Sequence, residues 1–115
     1  MTDPIFSCYL LQLKNDKRYA GSTLTNRIPL RYQEHCDGKG AKWTYMYKPV
    51  KILETWDNLT SEQAFKKEHS VCIQQMLKHE DLDICRGGTY NFPFCGKYWW
   101  VPNALAHLIP PKTPF

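Results

Sequence analysis

The segment Phe6 to Leu13, FSCYLLQL, runs into Lys14-Asn15-Asp16-Lys17 and then into Arg18 to Gly21, RYAG. Uncharged and rich in aromatic and aliphatic side chains, the first run reads as a largely buried strand. Asn and Asp tolerate left-handed backbone angles, so the charged quartet reads as a hairpin turn and RYAG as the return strand. Such a hairpin commits the chain to an antiparallel pair on which the other elements must pack. It also sets Tyr9 and Tyr19 on adjacent strands, where both side chains can project to one face.

A polar loop, Ser22 to Asn26, follows. In IPLRYQEHCDGKG, Pro29 suits a first helical turn, where its missing N–H is no loss, and Gly38 or Gly40 suits the stop. Arg31 and His35, one helical turn apart, share a face of that helix. GAKWTYMYKP reads as a basic, aromatic loop, and PVKILETW as a third strand. Thr60 or Ser61 caps a second helix, SEQAFKKEHSVCIQQMLKHE, with Gln63 placed to complete a capping box with Thr60. Ala64, Phe65, Val71, Cys72, Met76 and Leu77 fall roughly on one stripe of that helix. From Asp81 the chain reads as loop, with Gly87-Gly88, five later prolines and the aromatics Tyr90, Phe92, Phe94, Tyr98, Trp99 and Trp100. The expected fold is therefore α+β, a small three-stranded, mainly antiparallel sheet flanked by helices. Residues 1–80 form its core, and 81–115 an aromatic- and Pro-rich extension packing on it, a single domain overall.

A length of 115 residues suits one domain, and a net charge of +4 suits a phosphate-bearing partner without requiring one. No apolar run approaches the roughly 20 residues of a membrane helix. MTDPIFSCYLLQL lacks the basic region and small-residue cleavage site of a signal peptide. The five cysteines, odd in number and without paired short spacings, fit a reducing compartment, so an intracellular protein is expected, its compartment open. His69, Cys72, Cys85 and Cys95 are zinc-ligand types, but their spacing matches no compact finger. Lys39, Lys42 and Trp43 form either a solvated turn or a contact for a nucleic-acid strand, with charge for phosphates and a ring for stacking.

Taken in order, several segments carry a resemblance. CYL at 8–10 and YAG at 19–21 resemble the two half-motifs of the GIY-YIG endonuclease family. LRYQEHCDGKGAKWT is similar to members in which an Arg is followed one turn later by His and then by a Gly-Ala-Lys-aromatic-Thr run. SEQAFKKEHS resembles the Ala-x-x-x-Glu helix that supplies the family's metal-binding carboxylate. The resemblance covers roughly residues 6–78. Cys8 and Leu10 depart from it, standing where glycine and isoleucine are usual. The loop from Gly21 to Arg31 is longer than in many members, which makes Arg27 a rival to Arg31; only Arg31 keeps the one-turn spacing to His35.

The resemblance implies a metal-dependent DNA endonuclease. Hydrolysing a phosphodiester takes an activated water, a cation at the leaving oxygen and positive charge on the phosphoryl group. On this reading Glu68 holds one Mg²⁺ or Mn²⁺, which keeps much of its hydration shell. Arg31 grips the phosphate through its planar fork. Tyr9 and Tyr19 activate the water, their order open, and His35 hydrogen-bonds a tyrosine or the phosphate. Gly21 lets the backbone approach the substrate, and Lys17, Arg27, Lys39, Lys42 and Trp43 line it. The implied partner is branched or duplex DNA, with RNA left open and no membrane role. Lacking a separate reader domain, the chain would read DNA structure or few bases, or follow a guiding protein partner. Two alternatives are a catalytically weak nucleic-acid-binding module of the same fold and a protein-interaction domain using the aromatic tail.

Overall fold

The computed structural model describes residues 5–88, 90 and 98–109. Phe92, Phe94 and Cys95 lie outside the described residues.

Strand β1 (Phe6–Leu13) and strand β2 (Arg18–Leu24) pair antiparallel from Phe6 opposite Leu24 to Gln12 opposite Arg18. The turn between them is a single 3₁₀ turn in which Asn15 and Asp16 take φ of 60° and 57°. These two residue types tolerate that conformation best after glycine, so the turn chemistry and the hairpin agree. β2 runs on through Ser22–Leu24, which the sequence assigns to the polar loop, and a 3₁₀ turn at Thr25–Arg27 leads into helix α1 (Ile28–Cys36). Pro29 lies in the first turn of α1, and Gly38, with φ of 76°, follows its end.

The stretch expected to be all loop contains a short helix, α2 (Lys42–Met46). Trp, Thr and Tyr are poor helix formers, and tertiary burial of Trp43 and Thr44 overrides their propensity. Strand β3 (Pro49–Leu59) pairs antiparallel with the other edge of β1 and extends beyond Trp56. Helix α3 (Ser61–His79) opens on the capping box: Gln63 N–H donates to Thr60 Oγ1 at 3.1 Å and Thr60 N–H to Gln63 Oε1 at 3.0 Å. Its buried stripe is Ala64, Glu68, Val71, Cys72 and Met76; Phe65 and Leu77, expected inside, face out. Each sits about 100° around the helix from the buried neighbour before it, enough to leave the contact.

The sheet has four strands, in the order β3-β1-β2-β4, where the sequence predicts three. The addition is strand β4 (Cys85–Gly87), which pairs parallel with β2 over Arg18–Ala20. Three residues ending at Gly87, with Gly88 next, carry no strand periodicity. Gly87, with φ of 147°, lies so close to Ala20 that a Cβ there would run into the Ala20 carbonyl. Among the described residues no helix is long and apolar enough to cross a membrane.

Strand alternation divides the core between the two sheet faces. Tyr9, Leu11, Leu13 and Tyr19 pack with Trp43 and the half-buried Tyr32 of α1. Cys8, Leu10 and Ala20 point the other way and meet Val71, Cys72 and Met76 of α3, together with Leu82, Ile84, Tyr90 and Leu105. Cys8, fully buried, has a negative φ, so packing absorbs the departure from glycine without backbone strain.

Candidate active site

Tyr9 lies opposite Gly21, and Tyr19 opposite Leu11, so the two phenols are diagonal neighbours on one sheet face. A Cβ on Gly21 would overlap the Tyr9 ring. Gly21 thus leaves the space in which the phenol lies.

His35 of α1 is fully buried above the tyrosines, its ring centroid 5.9 Å from that of Tyr9 and 5.1 Å from that of Tyr19. Its Nε2 lies 2.8 Å from Tyr9 Oη, and its Nδ1 lies 2.9 Å from Oγ1 of Thr44 on α2. Thr44 in turn donates to the carbonyl of Ala41 at 2.9 Å. Gly40 packs against the same imidazole so closely that a Cβ there would collide with Nδ1.

Arg31, one turn before His35, is half-buried, favours the ionised form of the Tyr9 phenol by its charge, and pairs with Glu34 at 3.6 Å. Arg27 is exposed in the 3₁₀ turn before α1. Of the two rival arginines, Arg31 is the one held against the phenols.

Glu68 enters from α3. The ladder between β2 and β4 stops at Ala20, leaving the outer edge of β2 without a strand partner at Gly21–Ser22 among the described residues. The hydroxyl and the backbone N–H of Ser22 favour the charged form of the Glu68 carboxyl. Burial raises the Glu68 carboxyl above its ordinary range, with Ser22 and Arg31 opposing the shift. Burial also raises both phenols. Tyr19 rises to about 12, with the Glu68 charge adding to the effect, while Arg31 pulls both phenols back down. Burial and the Arg31 charge push His35 down to about 4, so its imidazole is neutral.

Tyr9, Tyr19, Arg31 and Glu68 therefore act on one another's ionisation in one place, with the neutral His35 bonded to Tyr9, although they come from β1, β2, α1 and α3. The other residues expected to line substrate differ in exposure. Trp43 is 1% exposed and donates its indole N–H to the Arg18 carbonyl at 2.9 Å, so it is a core ring and presents no face for stacking. Lys17 donates to the Asp83 carbonyl at 2.9 Å and lies beside the rings of Trp43 and Tyr47. Lys39 and Lys42 are exposed at either side of Gly40. The sequence reading gives no site role to Ser22, Gly40 or Thr44, although Gly40 and Thr44 bracket the Gly-Ala-Lys-aromatic-Thr run.

A single carboxylate with hydroxyl and phenol oxygens nearby is a hard-oxygen donor set. It suits a divalent cation that retains most of its waters. Among the described residues no group of three or more His, Cys, Asp and Glu side chains is arranged to hold a metal. His69 instead meets the Tyr90 hydroxyl at 3.4 Å, and the Cys72 thiol donates to the Cys85 carbonyl at 3.4 Å.

The hairpin of paired tyrosines, the Arg–His turn of α1 and the glutamate of α3, in this order on a small mixed sheet, define a GIY-YIG-type domain. Relatives agree. The chain is 33% identical over 83 residues, 72% of its length and 86% of the relative's, to a UPF0213 protein of Halalkalibacterium halodurans. It is 36% identical over 66 residues, 57% of its length and 70% of the relative's, to a UPF0213 protein of Cupriavidus necator. A third relative, from Invertebrate iridescent virus 6 and named as GIY-YIG domain-containing, is 27% identical over 88 residues, 69% of this chain and 85% of its own. The chain belongs to the UPF0213 family, a GIY-YIG-like and nuclease-like family. No protein-family profile and no solved structure matches it.

Proposed function

We propose that the protein is a metal-dependent DNA endonuclease that hydrolyses phosphodiester bonds. The observation that carries this reading is the convergence of the Arg31 and Glu68 charges on the paired phenols of Tyr9 and Tyr19. Structural proteins place tyrosine pairs in sheets routinely, but they gain nothing from burying a carboxylate in the apolar stripe of a helix.

The roles follow from the chemistry of each group. Arg31, always charged, binds two phosphate oxygens through its fork and holds the scissile group while charge develops on it. The phenols, protonated at neutral pH, accept a hydrogen bond from the attacking water and orient it. Glu68, desolvated and only partly compensated by Ser22, holds Mg²⁺ or Mn²⁺. The bound cation would supply charge for the leaving oxygen and draw the phenol proton affinities down from their buried values. His35 acts through Tyr9. The exposed Arg27, Lys39 and Lys42 add attraction for the flanking phosphates.

Incubation with labelled duplex, flap, junction and nicked DNA, plus Mg²⁺ or Mn²⁺, tests the proposal. Cleavage of at least one substrate is expected, with Glu68→Gln and Arg31→Lys each slower by roughly 10²–10³-fold. Intact DNA in every reaction, or cleavage unchanged in Glu68→Gln, overturns it.

A further inference from the structure

The hydrogen bonds around His35 have a direction, and the donors present fix it. The Ala41 carbonyl can only accept, so the single hydroxyl proton of Thr44 goes to it, across 2.9 Å. Thr44 Oγ1 is then an acceptor toward His35, and the 2.9 Å contact puts a hydrogen on Nδ1. A neutral imidazole carries one such hydrogen, so Nε2 presents a lone pair, and the Tyr9 hydroxyl donates to it at 2.8 Å. The only proton of the Tyr9 phenol is committed in this way. Toward Arg31, and toward any water, its oxygen can only accept.

We infer that Thr44 is a positioning residue that selects the Nδ1–H tautomer of His35 and thereby makes Tyr9 the water-orienting acceptor of the tyrosine pair. This rests on the nuclease reading for its catalytic meaning, but the tautomer itself does not. A water at Tyr9 must point a hydrogen at the phenol and keep its lone pairs for phosphorus. With the opposite tautomer, Nε2–H would donate to Tyr9 and the phenol hydrogen would be free to turn toward the water. The water would then be oriented backwards. Gly40 belongs to the same device: with no side chain, it lets the loop pack against the imidazole edge at Nδ1.

The test is the ¹⁵N spectrum of the imidazole nitrogens in the full-length protein at neutral pH, with Thr44→Val and Thr44→Ser beside the wild type. A protonated Nδ1 and an unprotonated Nε2 are expected in the wild type and in Thr44→Ser. Thr44→Val, nearly isosteric but without the hydroxyl, loses that preference. Where cleavage is measurable, Thr44→Val lowers kcat roughly 10–100-fold with KM little changed, and Thr44→Ser recovers it. A wild-type ring protonated on Nε2 overturns the inference, as does a Thr44→Val ring still protonated on Nδ1 alone. The wild-type spectrum needs no variant to fold and no activity. A protein that cleaves nothing yet shows the expected tautomer refutes the nuclease reading and leaves the tautomer assignment standing.

Discussion

At the scale of single residues, the site depends as much on absent side chains as on present ones. Gly21 and Gly40 each lie where a methyl group would enter a functional ring, Tyr9 in one case and His35 in the other. Gly21→Ala and Gly40→Ala should therefore displace those rings while keeping the fold. We expect a stability loss of about 1–3 kcal/mol from overpacking and a fall in cleavage rate of roughly 10²-fold. Urea unfolding and cleavage kinetics on the same preparations check both numbers, and variants with wild-type rates would show that the ring positions are not catalytic. His35 adds a pH dependence. Its imidazole ordinarily titrates near 6.5 and is pushed down to about 4 in the folded protein. Between those values the unfolded chain binds a proton that the folded one does not, so stability falls as pH falls through the window and is complete at pH 7. From pH 7 to pH 5 the loss attributable to His35 is about 1–2 kcal/mol. His35→Gln, which keeps a polar side chain at that position but does not titrate, should show a correspondingly smaller drop in urea unfolding between the two pH values.

At the scale of elements, what the sequence revealed follows how locally each element is determined. The hairpin was legible because its turn is made by Asn15 and Asp16 in the conformation those residues favour. The start of α3 was legible because Thr60 and Gln63 satisfy each other's backbone within one turn. The catalytic-type residues of the hairpin, α1 and α3 were legible through an ordered resemblance. Elements made by distant contacts were not. α2 forms against its own propensities because Trp43 and Thr44 are buried by residues far away in sequence. β4 is a strand only because β2 offers it an edge. The stripe of α3 shows a subtler signal. Phe65 and Leu77 inflated the apolar face, whereas strict helical spacing through Ala64, Val71, Cys72 and Met76 runs through Glu68 and marks a carboxylate on a core stripe. The cap itself gives an energetic test: Thr60→Ala should cost about 1 kcal/mol in urea unfolding, since it deletes the acceptor for Gln63 N–H. A loss near zero would mean that packing alone holds the first turn.

At the scale of the whole molecule, the division into a core of residues 1–80 and an extension of 81–115 can be weighed by what ties the second part to the first. β4 supplies a ladder to β2. Arg86, fully buried, lies 4.7 Å over the Trp43 ring and 5.0 Å over the Trp100 ring, and it donates to the Leu82 carbonyl at 2.6 Å and to Asp83 Oδ1 at 2.9 Å. Asp83 also accepts from the Tyr98 hydroxyl at 3.3 Å, and its carbonyl accepts from Lys17 at the hairpin. A buried ion pair adds little net stability over an apolar equivalent, but removing one member strands the other, at about 3–5 kcal/mol. A small domain holds roughly 5–15 kcal/mol in all. Arg86→Ala should consequently lower the urea midpoint sharply, and deleting residues 81–115 should do more. The deletion uncovers Ala20, Val71, Cys72 and Met76, which are all but fully buried against this segment, and reopens the outer edge of β2. We expect the shortened chain to lose its cooperative unfolding transition, read by circular dichroism in urea, and to be cut by protease throughout. A shortened chain that unfolds cooperatively would instead make residues 1–80 a self-sufficient unit. The carboxylate of Glu68 depends on the same segment, because Gly88 packs its backbone against Glu68 and His69 of α3. The segment that looked peripheral in the sequence thus packs against the turn of α3 that carries Glu68.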